Sequence, residues 1–205
     1  MVHQERAVRT RRAIVDAAAQ VFVGGGLRAA SVADISRRAG VSGGALHFHF
    51  ETKDVLARAV AEEAREALGR LVRETEEATA PALQQLVDSS YALVALVRQD
   101  ATVRAGFRLG CEEPFRGGPM DLRCAWEHTV RGMLARAARQ SPPQVKVALQ
   151  GAARVVVAGT VGLEVLARTD PGWLSDDSLR DLWRMVLPGL SLAGLEVAGV
   201  RGGER

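Results

Sequence analysis

The sequence predicts an all-α protein, with a small basic three-helix segment followed by a larger helical body. Apolar side chains recur at spacings of three and four residues through most of the 205 residues, as they do on helices. The polar-apolar alternation of strands is not found, nor are internal repeats. Residues 1–54 hold eight basic and five acidic side chains, so this segment carries the whole net charge of +3. Such an asymmetry suits either a nucleic-acid-facing N-terminus or a solvated basic tail.

The first helix is predicted over Glu5–Val23. Its apolar face consists of Ile14, Ala17, Ala18, Val21 and Phe22. The run Gly24-Gly25-Gly26 should end this helix, because glycine accepts the left-handed backbone geometry found at helix ends.

Two short helices are predicted next. Ser31 begins the first, with Asp34 as a capping-box partner, and Gly40 ends it. Ser42 can cap the second, which runs from Gly43 to about Phe48. Two helices joined by a tight turn form the layout of a helix-turn-helix, whose second helix enters the major groove of DNA.

The second of these helices has the chemistry of a DNA-facing surface. The residues expected to face DNA are Ser42, Gly43, Gly44, Ala45, His47, His49 and Lys53. The two glycines let the backbone approach closely, Ala45 can touch a thymine methyl group, and Lys53 supplies a fixed charge.

The alternation of histidine and phenylalanine in this segment has other possible explanations. His47 and His49 do not predict a metal site, because positions two apart on a helix point in different directions and no Cys or acidic ligand set accompanies them. Phe48 and Phe50 are expected to be at least partly in the core.

Several motifs within Thr10–Leu56 point to one family. They are Ser31-Val32-x-Asp34-Ile35, Ala39-Gly40-Val41-Ser42, Gly44-x-Leu46, the His49-Phe50 pair and Lys53. In these motifs the segment resembles the DNA-binding domain of TetR-type transcriptional repressors. The resemblance implies DNA-facing positions for Ser31, Ser42, His47, Phe48, His49 and Lys53. The family often has lysine in place of Gly43 and tyrosine in place of His47, so we expect weaker phosphate attraction and mildly pH-sensitive binding.

The body is predicted to consist of six further helices and one irregular loop. The helices are expected from Lys53 to near Pro81 and over 82–99, 101–109, 121–140, 143–168 and 176–199, and the loop over Gly110–Met120. The last two helices are candidates for a dimer interface. Their apolar stripe is Leu179, Leu182, Val186, Leu187 and Leu190, which instead fills the core of the single chain in the alternative interpretation.

A second resemblance concerns the body. The motif Val103-Arg104-Ala105-Gly106-x-Arg108-Leu109, then Trp126 and then Gly159-Thr160 resemble the γ-butyrolactone autoregulator receptors of antibiotic-producing actinomycetes. This resemblance implies that Trp126 lines an effector pocket and that Thr160 bonds the effector. From the residues alone, Trp126 shares one apolar face with Val130, which suits an apolar ligand or an ordinary core. Thr160 and Glu164 meet a ligand or bond across the dimer interface.

The hypothesis from sequence is a homodimeric, ligand-responsive repressor with a DNA-binding domain over 1–54 and an effector-binding and dimerisation domain over 55–205. Its expected partners are a palindromic DNA operator and a small apolar effector, either γ-butyrolactone-like or an antibiotic. The alternative is a constitutive or architectural DNA binder without an effector. Phosphate-binding glycine loops, HExxH, GxSxG and paired metal ligands are not found, so an enzyme, a metal and a cofactor are not expected. Cys111 and Cys124 form no disulfide framework, and with no signal peptide or membrane span the expected location is the cytoplasm.

Overall fold

The structure is a computed structural model that describes residues 2–139 and 143–192. Every regular element within these residues is helical, so the predicted all-α class is confirmed. The α-helices are α1 (Val2–Ala29), α2 (Val32–Ala39), α3 (Gly43–His49), α4 (Lys53–Glu76), α5 (Ala82–Gln99), α6 (Ala101–Leu109), α7 (Leu122–Ala138), α8 (Pro143–Leu166) and α9 (Asp176–Leu192). A short 3₁₀ turn at Pro171–Trp173 lies between the last two.

Most helices of the body begin and end close to their predicted positions. Helices α5 and α6 match the prediction at both ends, and the chain between α6 and α7 is the irregular loop expected over Gly110–Met120. Helix α4 ends at Glu76, several residues before Pro81. The final helix is described as far as Leu192, so the predicted stretch 193–199 lies outside the described residues. None of the described helices is long and apolar enough to cross a membrane.

The glycine run interrupts α1 at a later position than predicted. The helix passes through Gly24 and Gly25, and the break falls at Gly26, whose φ of 71° lies in the left-handed region. One further helical turn then reaches Ala29. Two consecutive glycines therefore do not end this helix, because glycine permits but does not require the left-handed conformation.

The two short helices are bounded by different devices. Gly40 ends α2 in the left-handed conformation, with φ 66°, as predicted. The prediction of a capping box at the start of α2 is wrong. The Ser31 side chain makes no capping hydrogen bond, and Asp34 pairs instead with Arg37 on the exposed side of α2. The entry into α2 is therefore set by the backbone rather than by a side-chain cap.

The chain divides into two compact units, each with its own core. The first takes in the chain up to Leu68 together with Val97–Ala125, and in it α1 packs against α2 and α6. Its core is formed by side chains from each of these segments, including Ile14, Phe22, Ile35, Leu46, Phe50, Leu56, Val60, Leu109 and Phe115. The functional boundary after residue 54 stays a prediction.

The second unit takes in Gly69–Leu96 and the chain from Trp126 onward, and in it α8 packs against α9. A side chain at Gly159 would come within 2.8 Å of the Leu182 methyl groups, so glycine allows the two helices to approach closely here. The α9 stripe consists of four buried leucine and valine residues and the half-buried Leu182. It fills the core of the single chain, as in the alternative interpretation. Among the side chains that the structure describes on α8 and α9, the large apolar ones that are exposed are Val155, Val165, Leu166 and Met185.

Candidate DNA-binding surface and effector site

Helix α3 is fixed at both ends by its own sequence. At its start, the Ser42 hydroxyl accepts a hydrogen bond from the backbone N–H of Ala45 at 3.1 Å, so the predicted cap is confirmed. On its inner side, Leu46 is buried, and Phe50 at the C-cap is also buried. The guanidinium group of Arg11 lies 5.1 Å from the centre of the Phe50 ring, within range of a cation–π contact. These anchors orient the rest of α3 outward.

The outward side of α3 carries most of the predicted DNA-facing residues. Ser42, Gly43, Gly44 and His47 are exposed, and Ala45 and His49 are half-buried. Phe48 is 84% exposed and packs edge-to-face against the His49 ring, with 5.3 Å between the ring centres. The expectation that Phe48 lies partly in the core is therefore wrong, whereas for Phe50 it is confirmed. A large exposed aromatic ring on this helix offers an apolar contact to a partner.

The other two predicted DNA-facing residues are less exposed. Ser31 and Lys53 are both half-buried. The ammonium group of Lys53 donates to the backbone carbonyl of Ala30 at 3.0 Å and to that of Arg28 at 3.5 Å. Lys53 thus ties the first turn of α4 to the segment that leads into α2.

Metal chemistry finds no support in the described part of the chain. No group of three or more His, Cys, Asp or Glu side chains there is arranged to hold a metal ion. His47 is exposed and His49 is half-buried on the short helix.

In the second unit, two of the three predicted effector residues meet directly. The indole N–H of Trp126 on α7 donates to the hydroxyl oxygen of Thr160 on α8 at 2.8 Å. The Thr160 hydroxyl in turn donates to the backbone carbonyl of Val156 at 2.7 Å. Trp126, Val130 and Thr160 are all buried, and Val130 lies one turn after Trp126 on the same face of α7. The structure therefore joins α7 to α8 through a buried polar pair within an apolar core.

The neighbouring polar groups have partners of their own. Glu164, one turn beyond Thr160, forms an ion pair at 2.7 Å with Arg168, which lies in the turn after the end of α8. The hydroxyl of Ser89 on α5 donates to Thr75 at 2.8 Å and lies 3.8 Å from the sulfur of Met133, which belongs to the Trp126 face of α7. Ser89 is not among the residues predicted from the sequence. The signal was present, since the polar run Asp88-Ser89-Ser90 interrupts the apolar residues of α5.

Comparisons with known proteins agree with this architecture. Residues 14–60 match the family model described as bacterial regulatory proteins, tetR family. The chain is 34% identical to the A-factor receptor protein of Streptomyces griseus over 197 residues, which cover 95% of this chain and 68% of that protein.

Solved structures give the same result over nearly the full chain. A crystal structure of a γ-butyrolactone receptor (ArpA-like protein) matches with a TM-score of 0.76 and 27% identity, covering 92% of this chain and 96% of that one. CprB, a TetR family protein of Streptomyces coelicolor solved in complex with its biological operator sequence, matches with a TM-score of 0.74 and 27% identity over the same shares of the two chains. With its helix-turn-helix and this extent of similarity, the chain belongs to the TetR family of helix-turn-helix, DNA-binding transcriptional regulators.

Proposed function

We propose that the protein is a homodimeric repressor that binds a palindromic operator in the cytoplasm and releases it when a small apolar effector binds. The proposed effector is γ-butyrolactone-like, since relatives named as A-factor and γ-butyrolactone receptors resemble nearly the whole chain. An antibiotic is the second candidate of the same apolar class. The observation that carries the effector assignment is this similarity over nearly the whole chain, and the Trp126–Thr160 hydrogen bond brings two of the proposed contact residues together.

The proposed DNA contacts come from α3 and the residues that flank it. They are Ser31, Ser42, Gly43, Gly44, Ala45, His47, Phe48, His49 and Lys53. Exposure of the outer side of α3, opposite the buried Leu46, supports this assignment. In a two-fold dimer the two recognition helices would enter successive major grooves about 34 Å apart.

The proposed effector contacts are Trp126, Val130 and Thr160. An alkanoyl γ-butyrolactone has an apolar alkyl chain and carbonyl oxygens that accept hydrogen bonds, so one of these oxygens can accept from the Trp126 N–H in place of Thr160. Val130 supplies apolar surface on the same face of α7. An effector that binds one conformation more tightly than another shifts the population by that difference in affinity. Helix α4 contributes residues to both compact units and is the proposed lever.

A constitutive DNA binder without an effector is the second candidate, and one observation favours it. The three proposed effector residues are already buried, and the polar groups of Trp126 and Thr160 already have partners within the chain. A filled and hydrogen-bonded core of this kind needs no ligand to be stable.

The two candidates are separated by a mobility-shift assay on DNA from upstream of the protein's own gene, with and without an alkanoyl γ-butyrolactone. In the proposed function the lactone releases the wild-type protein. Trp126→Phe keeps an aromatic ring but loses the N–H donor, so it should bind DNA normally and require at least about tenfold more lactone for release. Trp173→Phe, at a half-exposed tryptophan outside this pair, is the matched control.

The opposite results are equally informative. DNA binding that neither lactones nor antibiotics alter would favour the constitutive binder. If Trp126→Phe releases DNA at the wild-type lactone concentration, the assignment of Trp126 as an effector contact is wrong.

A further inference from the structure

One hydrogen bond joins two distant parts of the chain at the break in α1. Glu112 lies in the loop between α6 and α7, and its Oε1 accepts a hydrogen bond from the backbone N–H of Leu27 at 2.7 Å. The two residues are 85 positions apart in the sequence. Leu27 directly follows Gly26, where the helix is broken.

The backbone at the break is shaped to receive this carboxylate. Gly26 is buried, and any side chain there would collide with the Glu112 carboxylate. It would also come within 3.3 Å of the Arg108 guanidinium group on α6. The positive φ of Gly26 independently favours glycine. The close approach and the break in the helix therefore depend on the same residue.

The loop that carries Glu112 is itself held in place. Asp121 is buried and accepts hydrogen bonds from the backbone N–H of Arg123 at 3.0 Å and from its Nε at 2.9 Å. Arg116 donates to the carbonyl of Cys111 at 2.8 Å, next to Glu112. A loop with these internal bonds presents the Glu112 carboxylate in one position.

The segment that Glu112 contacts leads directly to the helix-turn-helix. Residues 27–30 connect the break in α1 to Ser31, the first residue before α2. At the other end of this segment, Lys53 donates to the carbonyl of Ala30. The segment is thus held at its start by Glu112 and at its end by Lys53, and the Ser31 side chain contributes no cap.

We propose that Glu112 is a positioning residue for DNA binding, which fixes the direction in which the chain leaves α1 and enters the helix-turn-helix. The proposal rests on the DNA-binding function of this unit. Glu112 acts through the reach and the acceptor oxygen of its side chain and not through its charge. A negative charge near DNA opposes binding, so removing it would by charge alone strengthen the complex.

The test measures binding to a DNA duplex that the wild-type protein has selected from a random pool. Glu112→Gln keeps the length and an acceptor oxygen and should bind within about twofold of the wild type, whereas Glu112→Asp keeps the charge but is one methylene too short. Glu112→Asp and Glu112→Ala should both weaken binding, by up to about tenfold, because a smaller fraction of the protein has the competent orientation. Exchange of the Leu27 amide hydrogen should be faster in these two variants and unchanged in Glu112→Gln. Glu113→Ala, at the exposed neighbouring carboxylate that pairs with Arg116, is the control and should bind normally.

Two results would overturn the proposal. One is normal binding by Glu112→Ala, and the other is the reverse order, in which Glu112→Asp binds normally and Glu112→Gln does not. If Glu112→Ala does not fold, the comparison of Glu112→Gln with Glu112→Asp still decides. Failure of the wild-type protein to select any duplex would instead count against sequence-specific DNA binding itself.

Discussion

At the scale of single residues, the ammonium group of Lys53 already forms hydrogen bonds within the protein in the absence of DNA. It donates to the carbonyls of Ala30 and Arg28. A lysine ammonium group has three N–H donors, so one is left for a phosphate oxygen. These bonds hold the charge in a fixed place near the start of α4, which reduces the entropy lost when DNA binds.

Replacing Lys53 with alanine should therefore weaken binding to all duplexes alike. If Lys53 contacts one phosphate, the slope of the logarithm of the binding constant against the logarithm of salt concentration should decrease in magnitude by about one. Arg65→Ala is the matched control, because this exposed arginine lies twelve residues, or about 18 Å, further along α4. A slope that Lys53→Ala leaves unchanged would assign Lys53 a purely structural role.

Asp121 is a second residue whose surroundings determine its chemistry. Burial by itself would raise the pKa of its carboxyl group, but hydrogen bonds from the Arg123 side chain and from the backbone of Gly117 and Arg123, together with the Arg123 charge, outweigh burial. The pKa therefore lies below its ordinary value of 3.8. The ionised carboxylate stabilises the folded state above the unfolded pKa, and this contribution is lost as the pH falls through the lower, folded pKa.

The free energy of unfolding should accordingly depend on Asp121 at neutral pH and much less in acid. Urea denaturation at pH 7 should show that Asp121→Asn is less stable than the wild type, and the difference should shrink as the pH falls below about 4. Asp88→Asn, at an exposed aspartate of α5, should show little difference at either pH. A constant difference for Asp121→Asn at all pH values would show that packing and not ionisation is responsible.

At the scale of elements, the two short helices show how far a capping pattern can be trusted. Ser31 and Ser42 both stand at an N-cap position with an extended backbone, yet only Ser42 accepts a backbone hydrogen bond. The sequence around Ser31 has the better capping box, with Asp34 three residues on. Asp34 pairs with Arg37 instead, and the Ser31 side chain makes no capping hydrogen bond.

The two serines therefore form a matched pair of positions. Ser42→Ala should lower the free energy of unfolding by about 1 kcal/mol, the usual value of an N-cap. Ser31→Ala should change it by less than about 0.5 kcal/mol, as at ordinary surface positions. Urea denaturation of both variants gives the comparison, and equal losses would contradict the difference in capping. Both should weaken DNA binding if both face DNA.

At the scale of the whole molecule, the apolar surface available to a second copy differs from the one expected. The stripe on α9 is largely buried within the single chain, and among the described side chains of that helix the most exposed large apolar one is Met185, at 82% exposure. Val155 on α8 is also half exposed. We therefore expect these side chains, rather than the buried leucines of the stripe, to be covered by a partner subunit.

Met185→Lys should accordingly weaken the dimer, because a lysine buried in an apolar interface loses its hydration. Sedimentation equilibrium should show more monomer. Operator binding should weaken, because a single helix-turn-helix contacts only one half of a palindromic operator. Gln99→Lys, at an exposed polar position on α5, is the control and should sediment with the mass of the wild-type dimer. A fully dimeric Met185→Lys protein would place the interface elsewhere.

The spacing of apolar residues and the glycine and serine residues at helix ends predicted most of the helices, because both signals are local in the sequence. The spacing of apolar residues predicted both ends of α5 and α6 correctly. Gly40 ends α2 and Ser42 caps the start of α3, as expected. Contacts between distant segments left no such signal. Nothing near Gly26 in the sequence distinguishes it from Gly24 and Gly25, because the Glu112 carboxylate that meets it lies 86 residues further along the chain.

The sequence by itself determined the helical class, the basic helix-turn-helix and the family, since these depend on residue types at short spacings. The tertiary structure decided which apolar side chains are buried, which serine caps its helix and which groups meet at the break in α1. Phe48 and Phe50 are the same residue type and lie two positions apart, yet Phe48 is 84% exposed and Phe50 only 2%. Burial depends on where the rest of the chain lies, and that is a property of the folded chain as a whole.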